Sequence, residues 1–285
     1  MNKNVLVVAL IVVMLLVAGF LVYGIVTNAR APMKIAPQAA EPKETAALTS
    51  GKSEADYFAS AANYEKNGDL LKAKEVYQEI LDKYPGSTSI SKAQEALDNL
   101  NIKILFSPVT TPDSLLYEVV KGDTLTRIAK QFNTTAELIS KANGLKDANI
   151  KLGKKLKISK AKFSIIVDKS QNILTLKSDQ DILKTYKVST GKNSCTPVGT
   201  FKVINKLIDP AWNPPTGGTI PAGDPKNVLG SRWIGLSKQS YGIHGTIDPG
   251  SIGKSVTEGC VRMTNSDVEE LYSILPVGTE CVIVD

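Results

Sequence analysis

Along the chain, apolar and polar positions change their period several times, and each change predicts a different kind of element. An unbroken apolar run comes first, VLVVALIVVMLLVAGFLVYGIV (Val5–Val26), whose 22 uncharged residues suffice to cross a bilayer core of about 30 Å as a helix. Residues 29–52 follow without any periodic apolar face, rich in Ala, Pro, Lys and Glu, and read as a flexible tether spanning on the order of 30 Å. From Ser53 to Leu105 the spacing turns helical. Tyr57, Ala61 and Tyr64 form one stripe, Gly68 and Asp69 break it, Leu70, Ala73, Tyr77 and Ile80 form a second, and Tyr84-Pro85-Gly86 stops that one. A third helix is predicted near Ser89–Leu105, and the Pro and Ser/Thr content of 106–115 marks a linker. Tyr117–Ile158 reads strand, helix, helix, strand. Asp123 can cap a first helix with Leu125, Ile128, Ala129 and Phe132 on one face, Leu138 and Ile139 mark the second, and Leu152, Leu156 and Ile158 lie on the closing strand. Beyond Lys162 the period drops to two, in FSIIVDKSQNILTL, KTYKVSTG and TPVGTFKVI. One helix is predicted there, capped by Thr264 with Asp267 three residues on and lined by Val268, Leu271 and Ile274. The expected fold is multidomain: a membrane-spanning segment (1–28), a short all-α hairpin (53–105), a βααβ module (116–159) and a mostly β domain (162–285).

A secretory signal competes with the retained anchor for the first segment. Its apolar region usually runs only about 7 to 15 residues, and although Ala29-Arg30-Ala31 offers an AxA-like site, Pro32 follows directly. The length favours an anchor, with the body facing outward from the cytoplasm into the periplasm or wall side. The formal net charge is +6, and Tyr117–Lys162 alone holds eleven Lys or Arg against four Asp or Glu. No interleaved aromatics or nucleic-acid motif accompany that patch, so a nucleic-acid partner is not expected; a solvated face or an anionic envelope surface accounts for it. Three cysteines, Cys195, Cys260 and Cys281, cannot all pair within one chain. A Cys195–Cys281 disulfide is conceivable and would leave Cys260 as a free thiol.

Cys260 lies sixteen positions after the only histidine, His244, in a segment rich in Gly, Ser and Thr. A thiol with pKa about 8.5 is only a few percent thiolate at neutral pH, so acyl-transfer chemistry needs an imidazole, a cation or oriented backbone dipoles beside it. His244 and Arg262 are the suppliers at hand, and Gly259 lets the chain turn tightly so that backbone N–H groups can meet an oxyanion.

Three resemblances add to this reading. Tyr57, Ala61, Tyr64, Gly68, Leu70, Ala73, Tyr77, Ile80 and Pro85 fall where a tetratricopeptide repeat has its signature residues, which implies a packing spacer or a site for a protein partner. Such arrays usually need three or more repeats to present a groove, which favours the spacer. Residues 117–158 resemble a LysM domain in GDTL (Gly122–Leu125), the Ile128-Ala129 pair and the LGKKLKI ending. That implies binding to the glycan backbone of peptidoglycan near Gly122, Asp123, Thr124, Leu145, Asn149 and Ile150, with few aromatics for sugar stacking, only Tyr117 and Phe132.

From about Lys162 to Asp285 the chain is similar to the L,D-transpeptidase catalytic domain, also called YkuD or ErfK-like. The matching pieces, in order, are VSTGK (Val188–Lys192), TPVGTF (Thr196–Phe201), LGSRWIGL (Leu229–Leu236), YGIHGT (Tyr241–Thr246) and TEGCVRM (Thr257–Met263). This similarity implies Cys260 as nucleophile, His244 as base, the N–H groups of Gly259 and Cys260 as oxyanion hole and Arg262 as organiser of the pocket. Tyr241, Gly245, Thr246, Thr257 and Glu258 are the substrate-contact candidates. The implied reaction is peptidoglycan L,D-transpeptidation: Cys260 releases D-alanine from a tetrapeptide stem, and a neighbouring stem's amine resolves the thioester into a 3-3 cross-link. Water as acceptor makes it an L,D-carboxypeptidase, and a decayed site leaves a wall-binding tether. No metal or organic cofactor is needed. Glu258 stands where the family often has histidine; its carboxylate opposes thiolate formation unless Arg262 or a lysine such as Lys254 compensates.

Overall fold

The computed structural model describes residues 52–285. The apolar run at 5–26 and nearly all of the tether lie outside them; among the described residues no helix is long and apolar enough to cross a membrane.

Three helices open the described chain: α1 (Glu54–Lys66), α2 (Leu70–Lys83) and α3 (Ile90–Leu105). Ser53 and Asp56 start α1 with a reciprocal capping box, side chain to backbone in both directions. Gly68, at φ +81, makes the turn into α2. The stripes meet in one cluster in which Ala61, Ala73 and Ile80 are fully buried and Tyr57 and Tyr64 pack at its margin.

The next module pairs β1 (Ser114–Glu118) antiparallel with β2 (Lys155–Ser159) and carries α4 (Leu125–Gln131) and α5 (Ala136–Ala142) between them. Its first strand begins at Ser114, inside the stretch expected to be linker. The α4 cap is Thr124, whose side chain accepts the Arg127 N–H, and not Asp123 as the sequence suggested. Asp123 is used one step earlier, where its carboxylate takes the Tyr117 hydroxyl at 2.8 Å and the Val120 N–H at 2.9 Å and closes the turn before the helix.

Eight strands form the main sheet, in the order β11-β9-β8-β7-β12-β3-β4-β5: β3 (Phe163–Asp168), β4 (Ile173–Ser178), β5 (Asp181–Lys187), β7 (Gly199–Ile208), β8 (Arg232–Leu236), β9 (Gly242–His244), β11 (Val261–Arg262) and β12 (Glu280–Val284). β12 runs parallel to β3 and β11 parallel to β9; the other neighbours are antiparallel. A small parallel pair, β6 (Thr190–Gly191) with β10 (Ser255–Thr257), lies beside them, and α6 (Asn265–Ile274), capped by Thr264, covers the core. Cys281 is fully buried on β12 and Cys195 is an exposed free thiol, so the conceivable Cys195–Cys281 bridge is absent. Burial pushes the Cys281 thiol up to about 12, where it stays an uncharged core side chain.

The modules are docked and not strung apart. α3 covers the exposed edge of β5: Asp98 accepts the Thr185 N–H at 2.9 Å and the Asn101 amide donates to Leu183 O at 3.0 Å. An open sheet edge is a template for foreign strands, and these two polar side chains cap it. Lys157 on β2 is only 3 % exposed and donates to the carbonyls of Ile104 and Ser107, at the negative C-terminal end of α3. Burial pushes its amine down to about 8. On the other side of the βααβ module, the Thr135 hydroxyl donates to Ser273 O of α6, and Leu138 joins the core of the large sheet.

Asp98→Ala leaves the Thr185 N–H at the edge without its acceptor. An orphaned, part-buried donor of this kind costs about 1–3 kcal/mol. The expected outcome is a lower midpoint in denaturant melts and faster hydrogen exchange at the Thr185 amide than in the wild-type chain.

Candidate active site

Strand register builds the site. β8 and β9 pair Trp233 with His244, and β9 and β11 pair His244 with Arg262. Residues paired in register share a face of the sheet, so Trp233, His244 and Arg262 form a row across three strands. One row along, Gly235 pairs with Gly242, and Cys260 immediately precedes β11 on the same side. Ile243 and Val261 point the other way into the core, both essentially unexposed. The residues between His244 and Cys260 leave β9, run through β10 beside β6 and return, which is what the sixteen-residue spacing is for.

Glycine at 242 makes room for the row's aromatic member. A Cβ there would stand 2.6 Å from the Trp233 ring. The indole is fixed by its Nε1–H donating to Asn205 Oδ1 at 3.1 Å, and its ring stacks beside the His244 imidazole, 6.2 Å between centroids.

His244 is 3 % exposed. Its Nδ1 lies 2.7 Å from Gly245 O; a carbonyl can only accept, which assigns the proton to Nδ1 and the lone pair to Nε2. Burial pushes the imidazole down to about 4, helped by the Arg262 charge and opposed by the carbonyls of Gly245 and Leu229. Burial likewise raises the Cys260 thiol, while a hydrogen bond from the Gly242 backbone and the Arg262 charge pull it back. Both directions say the same thing. At neutral pH the resting pair is a neutral thiol and a neutral imidazole, and the proton moves only as a reaction proceeds.

The turn before Cys260 is held by Thr257, whose hydroxyl donates to Cys260 O at 2.6 Å and accepts the Gly259 N–H at 3.2 Å. Gly259 has φ +119, and a Cβ would stand 2.6 Å from the Tyr241 ring, so only glycine fits. The Gly259 N–H, expected at an oxyanion hole, is therefore engaged within the turn. The Cys260 N–H has no acceptor among the described residues. Arg262 donates from Nη1 to Ser251 Oγ at 3.0 Å, and its buried Nε has no partner. A cavity of about 260 Å³ opens at Cys260, walled by Leu207, Trp212, Leu229, Trp233 and Ser240.

Comparison with known proteins fits this geometry. The family model of the L,D-transpeptidase catalytic domain, YkuD, matches residues 162–284, and that of the LysM domain matches 117–159. A protein named as an L,D-transpeptidase, YkuD of Bacillus subtilis, is 38 % identical over 176 residues, which cover 59 % of this chain and 98 % of the relative. Its namesake in Bacillus licheniformis is 38 % identical over 177 residues, with the same two shares. YqjB of Bacillus subtilis, likewise named, is 40 % identical over 127 residues, 42 % of this chain and 70 % of the relative. The chain belongs to the YkuD family of L,D-transpeptidases. It is a peptidoglycan L,D-transpeptidase by that membership, and it carries a LysM domain.

Within the L,D-transpeptidase domain several of the expected contact residues take part in the frame. Gly245, Thr246 and Thr257 are buried: Gly245 accepts from His244, Thr246 donates its N–H to Asn265 Oδ1 at 3.0 Å, and Thr257 closes the turn before Cys260. Tyr241 packs its ring on Gly259. Glu258 points outward, 77 % exposed, and pairs with Lys192 at 2.7 Å. It is not among the groups that shift Cys260. The compensating lysine is thus Lys192, while Lys254 donates to Gly250 O. Asn265, Lys192, Ser251 and the two tryptophans were given no role in the sequence reading, although Lys192 and Trp233 lie in its matching pieces. For the tryptophans a signal existed, since the chain has only two and both wall the Cys260 cavity.

In the LysM domain, Gly122 adopts φ +90, Asp123 and Thr124 serve the turn and the cap, and Leu145 and Ile150 pack against the core. The Asn149 N–H donates to Asp147. A hollow of about 320 Å³ lies alongside, between α5 and the 145–150 loop, lined by Leu125, Ala136, Ser140, Lys141, Asp147 and Ala148. Tyr117 and Phe132 pack edge to face on each other, 5.4 Å apart. Among the described residues no cluster of three His, Cys, Asp or Glu could hold a metal.

A neutral resting thiol predicts the pH profile of alkylation. Iodoacetamide labelling of Cys260, read by peptide mass mapping so that Cys195 and Cys281 are scored apart, should keep rising through pH 9 with no plateau between pH 5 and 7. A low-pH plateau would mean a preformed thiolate.

Proposed function

We propose that this L,D-transpeptidase forms 3-3 cross-links, with Cys260 as nucleophile and His244 as base. The row that sets Cys260, His244 and Arg262 on one face of adjoining strands carries this reading. Cys260 Sγ attacks the carbonyl that joins the third, diamino acid residue of a tetrapeptide stem to its terminal D-alanine. The lone pair on His244 Nε2 takes the thiol proton and returns it to the leaving amine. The Cys260 N–H donates to the oxyanion. The Arg262 guanidinium, part-exposed at the end of the row, is the group we assign to the D-alanine carboxylate, through a charge-assisted hydrogen bond that only an unblocked stem can make. D-alanine leaves and a thioester remains. Attack on it by the side-chain amine of a second stem gives the cross-link; attack by water gives a tripeptide and the L,D-carboxypeptidase reaction.

The remaining modules fit a wall enzyme. The LysM hollow takes the glycan strand, the 5–26 run anchors the chain as a single-pass membrane protein, and its body works outside the cytoplasm. The tetratricopeptide-like hairpin serves as the docked support that closes the β5 edge, with its outer face available to a protein partner.

Incubating the full chain with disaccharide-tetrapeptide and reading products by mass spectrometry should show dimers and free D-alanine. Cys260→Ala should give neither, and activity equal to wild type in that variant would refute the assignment. Arg262→Met should lower kcat/KM for the natural stem by roughly 10- to 100-fold, the worth of one charged hydrogen bond. A stem ending in a carboxamide should be turned over alike by both forms.

A further inference from the structure

We propose that Trp212 and Trp233 form the acceptor subsite, an aromatic pocket that receives the alkylammonium side chain of the second stem beside the Cys260 thioester. This rests on the transpeptidase reading above and says where its second substrate binds.

The reaction brings two stems to one sulfur, and the group that each offers to the reacting centre differs. The donor presents the carboxylate of D-alanine; the acceptor presents an amine on an aliphatic chain. Around Cys260 the molecule offers two matching environments. On the sheet row stands the Arg262 guanidinium, which raises the free energy of any second cation nearby and suits the carboxylate. In the adjoining cavity no Asp, Glu, Lys or Arg contributes a wall; Leu207 and Leu229 supply apolar surface and the two tryptophans supply π faces. Ammonium groups on alkyl chains bind well to such surfaces, at about 0.5–2 kcal/mol per desolvated contact. Burial there also disfavours the charged amine and raises the share of the free base that can attack.

The Trp233 ring and the Trp212 backbone are held in place. Trp233 is pinned by Asn205 and by the missing side chain of Gly242. Trp212 exchanges two backbone hydrogen bonds with Ile220, both 2.8 Å, and its loop is clamped by the Asn227 amide on Pro210 O at 2.8 Å. A third feature points the same way. Ser240 has φ +66, a left-handed conformation uncommon for a non-glycine residue, and its carbonyl lies 3.7 Å from Cys260 Sγ. Once the sulfur is acylated that carbonyl loses the thiol donor and can accept an N–H of the incoming amine. The step balances: the free amine's nitrogen bonds to the thioester carbonyl carbon, the C–S bond breaks, and the amine's surplus proton passes through His244 to the departing Cys260 sulfur.

Trp212 lies away from the His244 row, so it is the one to alter. Full-length wild type, Trp212→Leu and Trp212→Phe are compared by two readouts: acylation of Cys260 by a carbapenem, which needs no acceptor, and the ratio of dimer to tripeptide from a tetrapeptide stem. For Trp212→Leu the ratio should fall about tenfold, a larger loss than that in acylation, and raising the acceptor concentration should restore it. Trp212→Phe, which keeps a π face, should retain most of the ratio. An unchanged ratio in Trp212→Leu, or acylation and dimer formation lost in equal measure, overturns the acceptor assignment. So does a wild type that yields tripeptide alone, while leaving Cys260 as nucleophile. Only a wild type that neither acylates nor releases D-alanine would remove the underlying reaction itself.

Discussion

The parallel pairing of β9 with β11 is the constraint on which the site depends. Two strands of three and two residues contribute few hydrogen bonds of their own, yet their register alone sets Arg262 against His244 and brings Cys260 beside Gly242. A slip by one residue would turn His244 or the Cys260–Arg262 pair into the core and bring out Ile243 or Val261. Much of the surrounding polar chemistry serves to prevent that slip. Met263 donates to His244 O, Arg262 and Ser189 exchange backbone hydrogen bonds, Thr257 ties the turn before Cys260, and Asn265 holds the chain behind His244 from the start of α6. Gly245, Thr246 and Thr257, read from the sequence as substrate-contact candidates, are part of this scaffold as well.

Burial between those strands then decides the electrostatics. A histidine with almost no exposed surface and a guanidinium nearby stays uncharged near neutrality, although the Gly245 carbonyl at its Nδ1 favours the charged ring. Its partner thiol, raised by the same burial, does not lose its proton. Under the proposed reaction the energetic logic is that of a base that takes the proton in the transition state, and not of a stored ion pair. Glu258 does not disturb it because Lys192 draws the carboxylate outward into solvent. In that setting an exposed ion pair contributes little to stability but sets the direction of a side chain.

How far the sequence spoke for itself differs by element. The two helical stripes, the strand-helix-helix-strand order of 117–158 and the Thr264–Asp267 cap could be read because they depend on local periodicity and on side chains three residues apart. Asp123 and Thr124 are both good caps, and only the backbone conformation chose between them. The docking of α3 on β5 was invisible: Asp98 and Asn101 look like ordinary solvated helix positions, and their partners lie more than 80 residues away. The same holds for Lys157, a lysine among many in a basic stretch until the C-terminus of α3 is seen above it. At the site, the types of residue were legible and their orientations were not. Gly259 marked a tight turn correctly, but which N–H it would leave free depended on Thr257.

The single histidine makes the central claim directly measurable. With only His244 in the chain, an NMR titration of a histidine-labelled sample reports one imidazole without ambiguity. The account predicts a ring that stays neutral, protonated on Nδ1, from pH 8 down to about 4. A midpoint at 6.5 or above, or a charged ring that persists until the Cys260 thiol is removed, would contradict it and establish a resting thiolate-imidazolium pair.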